Sequence, residues 1–440
     1  MNKKVTVVGL GHFGGGVGVT RWLCGQGAIV TVTDSASPET LASSVAQLAD
    51  LNVTFHLGGH DEADFTRADL LVVNPAVPKN LPCIEKSHAA SVRRTSEINL
   101  FLERCPCPVV GVTGSVGKST TTAMIGEILA RRFTTHVGGN IGGSLLTTLG
   151  DIRPNHVVVL ELSSFQLEDL PRLGISPRVA VVTNLKPNHL DRHGTMEHYA
   201  DAKKNIFRFQ RPDDVLVLNA DDSTTVTWAE EARGRVVFFH HKGARGRKAE
   251  PFELLLPGMH NQDNAQAAWA AASQLGVDRA TAADALKNFT GLEHRLQFVA
   301  ERGGVRFYND SKCTTPEGAI VALEAFPSGK IVILVGGSDK GVSFASLGVA
   351  LAQRAKCVIT LGATRDQLFA AVEDALRRDD LPAAPDGLGV LTAESFDEAV
   401  ALAVAHAEPG DVVLLSPACA SYDMFTNYEE RGRRFVELVT

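Results

Sequence analysis

Apolar positions in this chain come mostly as short continuous runs, with little alternation. Val5 to Val8, Ala28 to Thr33, Asp69 to Val73, Pro108 to Val112, Val157 to Leu160, Val179 to Thr183 and Val215 to Leu218 are such runs, rich in valine and leucine. Val305 to Tyr308, Ile331 to Val335, Cys357 to Leu361 and Val412 to Leu415 continue the series. Each ends in glycine or a polar cluster. Strands covered by helices on both faces read this way, because neither side of the sheet meets water. Helical patterns fill the intervals, at Thr121 to Arg131, from Met196 onward and in the alanine-rich Ala265 to Leu275. The fold class is therefore α/β, and 440 residues are too many for one core. Three domains are expected: a Rossmann-like domain over residues 1–97, a central phosphate-loop domain over 98–297, and a second Rossmann-like domain over 298–440. A hairpin insert is expected between Asp222 and about Leu256. No internal repeat and no low-complexity linker interrupts the βα alternation.

The run Pro108 to Val112 leads into Gly111, Gly114 and Gly117, then Lys118, Ser119 and Thr120, then a helix. These are the parts of a phosphate-binding loop. Glycines let backbone N–H groups close on the phosphates, and a helix start favours their negative charge. Lys118 is placed to reach the terminal phosphates, and the Ser119 hydroxyl to meet Mg²⁺. The loop is a variant, TGSVGKST, with Val112 where the strict pattern has glycine. A nucleoside triphosphate is the ligand this predicts.

A second glycine turn, Gly9-Leu10-Gly11-His12-Phe13-Gly14, sits between the first strand and a helix, and the next strand ends at Asp34. That is the arrangement of a dinucleotide site. NAD and another nucleotide are both open here, since either brings a pyrophosphate.

Polar groups gather at other strand ends. Glu161 closes one, and His189 follows another within Asn184-Leu185-Lys186-Pro187-Asn188-His189. Open α/β sheets place ligands at these ends. A carboxylate, an imidazole and Ser119 beside a phosphate loop would make a metal site. In the third domain, Asn309 to Thr314, Gly336 to Gly341 and Ser416 to Ser421 occupy three strand ends. Packing alone does not call for three such clusters.

Composition narrows the class. The chain is 44% hydrophobic and 21% charged, ordinary for a globular protein. A net charge of −7 argues against a general nucleic-acid binder, and the one basic run, Lys242 to Lys248, is short and broken by glycine. The seven cysteines are scattered, and Cys105 and Cys107 are too close for a zinc pair, which suits a reducing compartment. No apolar stretch is long enough to span a bilayer. Asn2-Lys3-Lys4 and the apolar residues after it run straight into glycines with no small-residue cleavage site, so a first strand of a cytoplasmic protein is expected, not a signal peptide.

In order along the chain, TGSVGKST, GGNIG, ELSSFQLE, NHLDRH, GMHNQDN, LEHR, NDSKCTT, GGSDKG and SPACASYDMF resemble the motifs of the Mur ligases, which build the peptide of the cell-wall precursor. The resemblance covers the whole chain, and its last three motifs are similar to those of the branch that adds D-glutamate to UDP-N-acetylmuramoyl-L-alanine. It implies ATP-dependent amide formation through an acyl phosphate, with Mg²⁺ at two sites. It implies that Gly114, Ser115, Gly117, Lys118, Ser119, Thr120, Asn264, Arg295, Asp310 and Lys312 hold ATP from both sides of a closing cleft. Lys118, His189 and Lys203 are implied as catalytic, and Ser119, Glu161, His189 and a carbamylated Lys203 as metal ligands. Tyr199 sets the register for Lys203, and Lys204 is the adjacent alternative. Gly11, His12, Phe13, Asp34, Ser35, Ala76 and Asn140 match the uridine-nucleotide side, which moves the first glycine turn away from NAD. Thr314, Lys340, Ser421 and Tyr428 match the D-glutamate pocket. A cytoplasmic monomer acting on small molecules, with no nucleic acid and no membrane insertion, is implied.

The chain departs from the family pattern at Val116, usually asparagine, at Asn188, commonly aspartate, and at Tyr428, usually phenylalanine; HFGGGVG is also richer in glycine than usual. Two rivals stand beside this reading. One is a sister ligase adding a different amino acid. The other is a nucleotide-binding protein with no ligase activity, against which intact Lys118, Glu161, His189 and Lys340 argue.

Overall fold

A computed structural model describes residues 3–11, 14–141, 143–240, 249–339 and 341–440. His12, Phe13, Lys340 and the basic run Lys242 to Lys248 lie outside the described residues. The chain forms two compact units, residues 1–251 with 263–285, and residues 252–262 with 286–440.

The first unit holds two parallel sheets. In the first, β1 (Lys4–Val8), β2 (Ile29–Asp34), β3 (Val53–Leu57), β4 (Leu70–Val73) and β5 (Arg93–Thr95) lie in the order β3-β2-β1-β4-β5. The glycine turn after β1 and the Asn74 turn after β4 therefore leave neighbouring strands at the point where the strand order reverses. In the second sheet, β6 (Val109–Thr113), β7 (Thr135–Gly139), β8 (Val157–Glu161), β9 (Val179–Val182), β10 (Val215–Asn219) and β11 (Arg235–Phe239) lie in the order β11-β10-β9-β6-β8-β7. Strands β6, β8, β9 and β10 are buried throughout, as their unbroken apolar runs require. One apolar core continues from Val7 and Val17 of the first sheet's layers through Ile98 and Phe101 to Leu160 and Val182 of the second.

Among the described residues the segment after Asp222 does not form the expected hairpin insert, part of whose span, Lys242 to Lys248, lies outside them. Strand β11 pairs parallel to β10, Val215 opposite Arg235, after a crossover through the short 3₁₀ segment Thr225–Glu231. The crossover is anchored by Trp228, which is buried with its ring 6.1 Å from that of Phe207. Burying an indole against the sheet's helix layer favours a crossover over a solvent-exposed turn.

The second unit holds β12 (Gln297–Arg302), β13 (Val305–Asn309), β14 (Ile331–Gly336), β15 (Ala355–Leu361), β16 (Gly389–Thr392) and β17 (Val412–Leu415), in the order β12-β13-β17-β14-β15-β16. The true hairpin is here. Strands β12 and β13 are antiparallel around Gly303 and Gly304, whose φ angles of 58° and 78° match the two-residue turn that follows strand twist. The remaining pairs are parallel. No helix among the described residues is long and apolar enough to cross a membrane.

Candidate active site

Strands β8, β6 and β9 are adjacent, so their carboxyl ends bring together Glu161, the phosphate loop and the segment from Thr183. The loop is tied down by that segment. The Val116 N–H donates to Asn184 Oδ1 (3.0 Å), and the Val116 carbonyl accepts from Asn184 Nδ2 (3.0 Å) and Thr183 Oγ1 (2.7 Å). The Ser115 N–H donates to the Asn184 carbonyl (3.0 Å), and Ser115 Oγ exchanges hydrogen bonds with the backbone of Lys186. This leaves no room for a side chain at Gly114, where φ is 145° and a Cβ would lie 1.9 Å from Thr183 Oγ1. The Val116 side chain itself points outward and is 60% exposed.

Gly117 precedes the helix Lys118–Ala130, which starts the anion-binding end of the loop. Lys118 Nζ donates to the Ser115 carbonyl (3.1 Å), and Ser119 is buried in the first turn. Asn264 is buried beside them, its Oδ1 accepting from Thr121 Oγ1 (3.2 Å). Lys203 comes up from the helix Met196–Arg208 and is 1% exposed. Its Nζ donates to the Gly114 carbonyl (2.8 Å) and lies 4.6 Å from the centre of the Tyr199 ring. Burial drives the Lys203 pKa well below the ordinary lysine value, and repulsion from Lys118 adds to this while Glu161 opposes it. Lys204 faces away, paired with Glu231.

Glu161 is buried. Its Oε1 accepts from Asn140 Nδ2 (2.8 Å), while Oε2 is buried with no hydrogen-bond partner. A buried carboxylate oxygen left without a donor, on the strand next to the one that leads into the phosphate loop, fits a hard divalent cation, which prefers oxygen ligands. Among the described residues no group of three or more His, Cys, Asp or Glu could hold a metal by itself. His189 has a left-handed backbone (φ 54°), and its ring lies 5.0 Å from Phe165 and 6.4 Å from Tyr199.

Several residues that support the site were not singled out from the sequence. His193 stacks on Phe165 and bridges Ser164 Oγ (2.9 Å from Nε2) to Glu168 (3.2 Å from Nδ1). Arg192 lies over the Phe165 ring and donates to the carbonyls of Pro75, Ala76 and Val77 at 2.6, 2.8 and 3.0 Å. Arg192 thereby joins the Ala76 turn of the first sheet to the His189 segment of the second. Only the strand-end position of these groups was legible beforehand.

On the first sheet, Asp34 serves the glycine turn. Its Oδ2 accepts from the N–H groups of Leu10 (2.8 Å) and Gly11 (3.2 Å), and its Oδ1 from Ala36 N–H (2.9 Å). Ser35 and Ala76 are exposed near this turn, and Asn140 is exposed at the end of β7.

In the second unit, β13, β17 and β14 are neighbours, so the segments starting at Asp310, Ser416 and Gly337 leave one edge of the sheet side by side. Asp310 accepts from the Leu296 N–H (3.0 Å) and from Ser416 Oγ (2.8 Å). Burial pushes its carboxyl up to about 6, against the opposing pull of these bonds and of Arg295. Lys312 is exposed, with Nζ 5.7 Å from the Tyr428 ring centre; Thr314 and Tyr428 are half-buried, Ser421 is buried and Arg295 is exposed.

A glycine phosphate loop on a parallel sheet, with a buried lysine and an unpartnered buried carboxylate oxygen at its mouth, defines a nucleotide-phosphate site of the phosphoryl-transfer kind. Family comparisons agree. Residues 3–95 match the Mur ligase MurD-like N-terminal domain, 112–272 the Mur ligase middle domain, and 294–419 the Mur ligase glutamate ligase domain. A UDP-N-acetylmuramoylalanine--D-glutamate ligase of Symbiobacterium thermophilum is 43% identical over 100% of this chain and 98% of its own. One of the same description from Roseiflexus is 41% identical over 99% and 98%. A solved UDP-N-acetylmuramate-alanine ligase from Thermotoga maritima shares the fold, with a TM-score of 0.62 at 22% identity over 99% of both chains. The chain belongs to the Mur ligase family.

Proposed function

We propose that this chain is the ATP-dependent ligase that joins D-glutamate to UDP-N-acetylmuramoyl-L-alanine in cell-wall precursor synthesis. The whole-length likeness to relatives of that description supports the reaction. The single structural observation that carries it is the meeting of the phosphate loop and Glu161 at adjacent strand ends with Lys203, which reaches the loop from the helix Met196–Arg208. A carboxylate is a poor electrophile until it bears a good leaving group. ATP supplies one by phosphorylating it, and the amine of D-glutamate then attacks the carbonyl carbon and releases phosphate.

In this reading residues 1–97 take the uridine nucleotide, 98–297 the phosphates of ATP, and 298–440 the amino acid. Gly114, Ser115, Gly117, Lys118, Ser119, Thr120, Asn264, Arg295, Asp310 and Lys312 are assigned to ATP. Gly11, His12, Phe13, Asp34, Ser35, Ala76 and Asn140 are assigned to the uridine substrate, and Thr314, Lys340, Ser421 and Tyr428 to D-glutamate. Asp34 and Asn140 act partly through others, the first by shaping the glycine turn and the second by orienting Glu161. Mg²⁺ would be held by Ser119 and Glu161, and a second ion by His189 and a carbamate on Lys203. Bound there, the cations would spread the charge of the phosphoryl group in transfer. Lys118 places a positive charge against the same group. Burial lowers the Lys203 pKa and so favours the neutral amine, the form that reacts with carbon dioxide to give a carbamate. A cytoplasmic monomer completes the reading.

Phosphate release measured with ATP and UDP-N-acetylmuramoyl-L-alanine against a panel of amino acids tests the proposal. Turnover should be seen with D-glutamate and not with L-alanine, L-glutamate or a diamino acid. Preference for any of these would replace the proposal with a sister ligase, and silence with all of them would leave a nucleotide-binding protein.

A further inference from the structure

The second unit carries a buried cation that none of the roles above uses. Arg431, on the helix Tyr428–Val439, is 1% exposed, and among the described residues no carboxylate lies within 4.0 Å of its guanidinium. Asp423 acts on it only from beyond that distance, so hydrogen bonds must replace most of its hydration. Its donors are spent on two segments. Nε donates to Ser311 Oγ (3.0 Å), and Nη2 to the Ser311 carbonyl (2.8 Å). Nη2 also donates to the Cys419 carbonyl (3.1 Å), and Nη1 to the Ala420 carbonyl (3.2 Å).

Those partners sit inside the motifs. Ser311 lies between Asp310 and Lys312, three residues before Thr314, and Ala420 directly precedes Ser421. The Ala420 carbonyl also accepts from the Ser338 N–H (2.9 Å), so the segment after β14 hangs on the same oxygen. Ser311 Oγ in turn donates to the Tyr428 carbonyl (2.7 Å). One planar fork thus ties the segments after β13 and β17 directly and reaches the segment after β14 through one carbonyl. The structure assigns Arg431 as a positioning residue for the amino-acid pocket. It fixes the spacing of the segments that bear Thr314 and Ser421, and so governs how tightly the incoming amino acid is held. This rests on the functional reading above. A lysine could not replace it, because a single ammonium cannot span the Ser311 and Ala420 carbonyls in a fixed plane.

The test is steady-state phosphate release by the full chain carrying Arg431→Ala or Arg431→Lys, with far-ultraviolet circular dichroism as a check of folding. The Michaelis constant for D-glutamate should rise by at least about tenfold in both, the scale of losing hydrogen bonds to a charged group. The constants for ATP and the uridine substrate should move less. Guanidinium chloride at millimolar concentration should lower the D-glutamate constant of Arg431→Ala, and sodium chloride at the same ionic strength should not. A folded variant with the wild-type D-glutamate constant, or a defect that both salts relieve equally, would overturn the assignment. Failure of both variants to fold would also overturn it, making Arg431 a stability element. A wild type that does not turn over D-glutamate sinks the functional reading along with this one, whereas an unchanged variant beside an active wild type sinks this one alone.

Discussion

The amine of Lys203 donates to the main-chain carbonyl of Gly114 at 2.8 Å, placing a buried lysine on the floor of the phosphate loop. Sequence spacing left Lys203 and Lys204 as alternatives, one residue apart. The helix separates them. Lys203 faces the loop, and Lys204 faces Glu231 and the Trp228 ring.

The first prediction follows from that separation. Lys203→Ala should abolish amide formation and be partly restored by added formate or acetate, which supply the carboxylate that a carbamate would provide. Lys204→Ala loses one partly exposed ion pair and should shift stability by less than about 1 kcal/mol with activity retained. An inactive Lys204→Ala beside an active Lys203→Ala would reverse the two roles.

Asn184 gives the second. Its amide both donates to and accepts from Val116, closing the phosphate loop from the side. Asn184→Ala removes two exposed hydrogen bonds, about 0.5–1.5 kcal/mol each, and leaves the Val116 carbonyl with Thr183 Oγ1 alone. The Michaelis constant for ATP should rise roughly tenfold on that scale, while the D-glutamate constant stays near its wild-type value. An unaltered ATP constant would mean that the loop keeps its shape without Asn184.

The third concerns pH. The folded-state pKa of Asp310, about 6, stands above its ordinary value of 3.8. A carboxyl whose pKa rises on folding binds more protons folded than unfolded between those values, so its contribution to stability falls as pH rises from about 4 to about 6. At about 1.4 kcal/mol per pKa unit the loss approaches 3 kcal/mol. Asp310→Asn removes this titration. Thermal unfolding of the two proteins should show the variant gaining on the wild type as pH rises through that window. A constant difference across it would place the Asp310 pKa back in the ordinary range.

Much of the fold was legible because the buried parallel strands are uninterrupted apolar runs. The strands that went unread are the edges. Strand β5 is the three residues Arg93–Thr95, and β3 (VTFHL) and β12 (QFVAER) mix polar and apolar residues on half-exposed edges. Strand β11 was misassigned because the segment between Asp222 and Arg235 carries turn residues, and only tertiary burial of Trp228 makes it a crossover. The phosphate loop could be read from Gly114, Gly117 and Lys118, whose chemistry is local in sequence. Arg192, His193 and Arg431 could not, since each acts on carbonyls, hydroxyls or rings that only the fold brings near. Asp34 was read as a ligand-binding acid, and what the sequence did not show is that its oxygens also take three backbone N–H groups of nearby turns.

The central claim is that a substrate carboxylate becomes an acyl phosphate before the amine attacks, and an oxygen-isotope measurement tests it directly. UDP-N-acetylmuramoyl-L-alanine labelled with oxygen-18 in its alanyl carboxylate is incubated with the chain, ATP, Mg²⁺ and D-glutamate, and the released phosphate is analysed by mass spectrometry. The bond that breaks on amine attack joins the carbonyl carbon to the oxygen that received the phosphoryl group. Each phosphate released should therefore carry one labelled oxygen, with the other left in the amide. Phosphate free of label, formed together with the D-glutamyl product, would contradict the account.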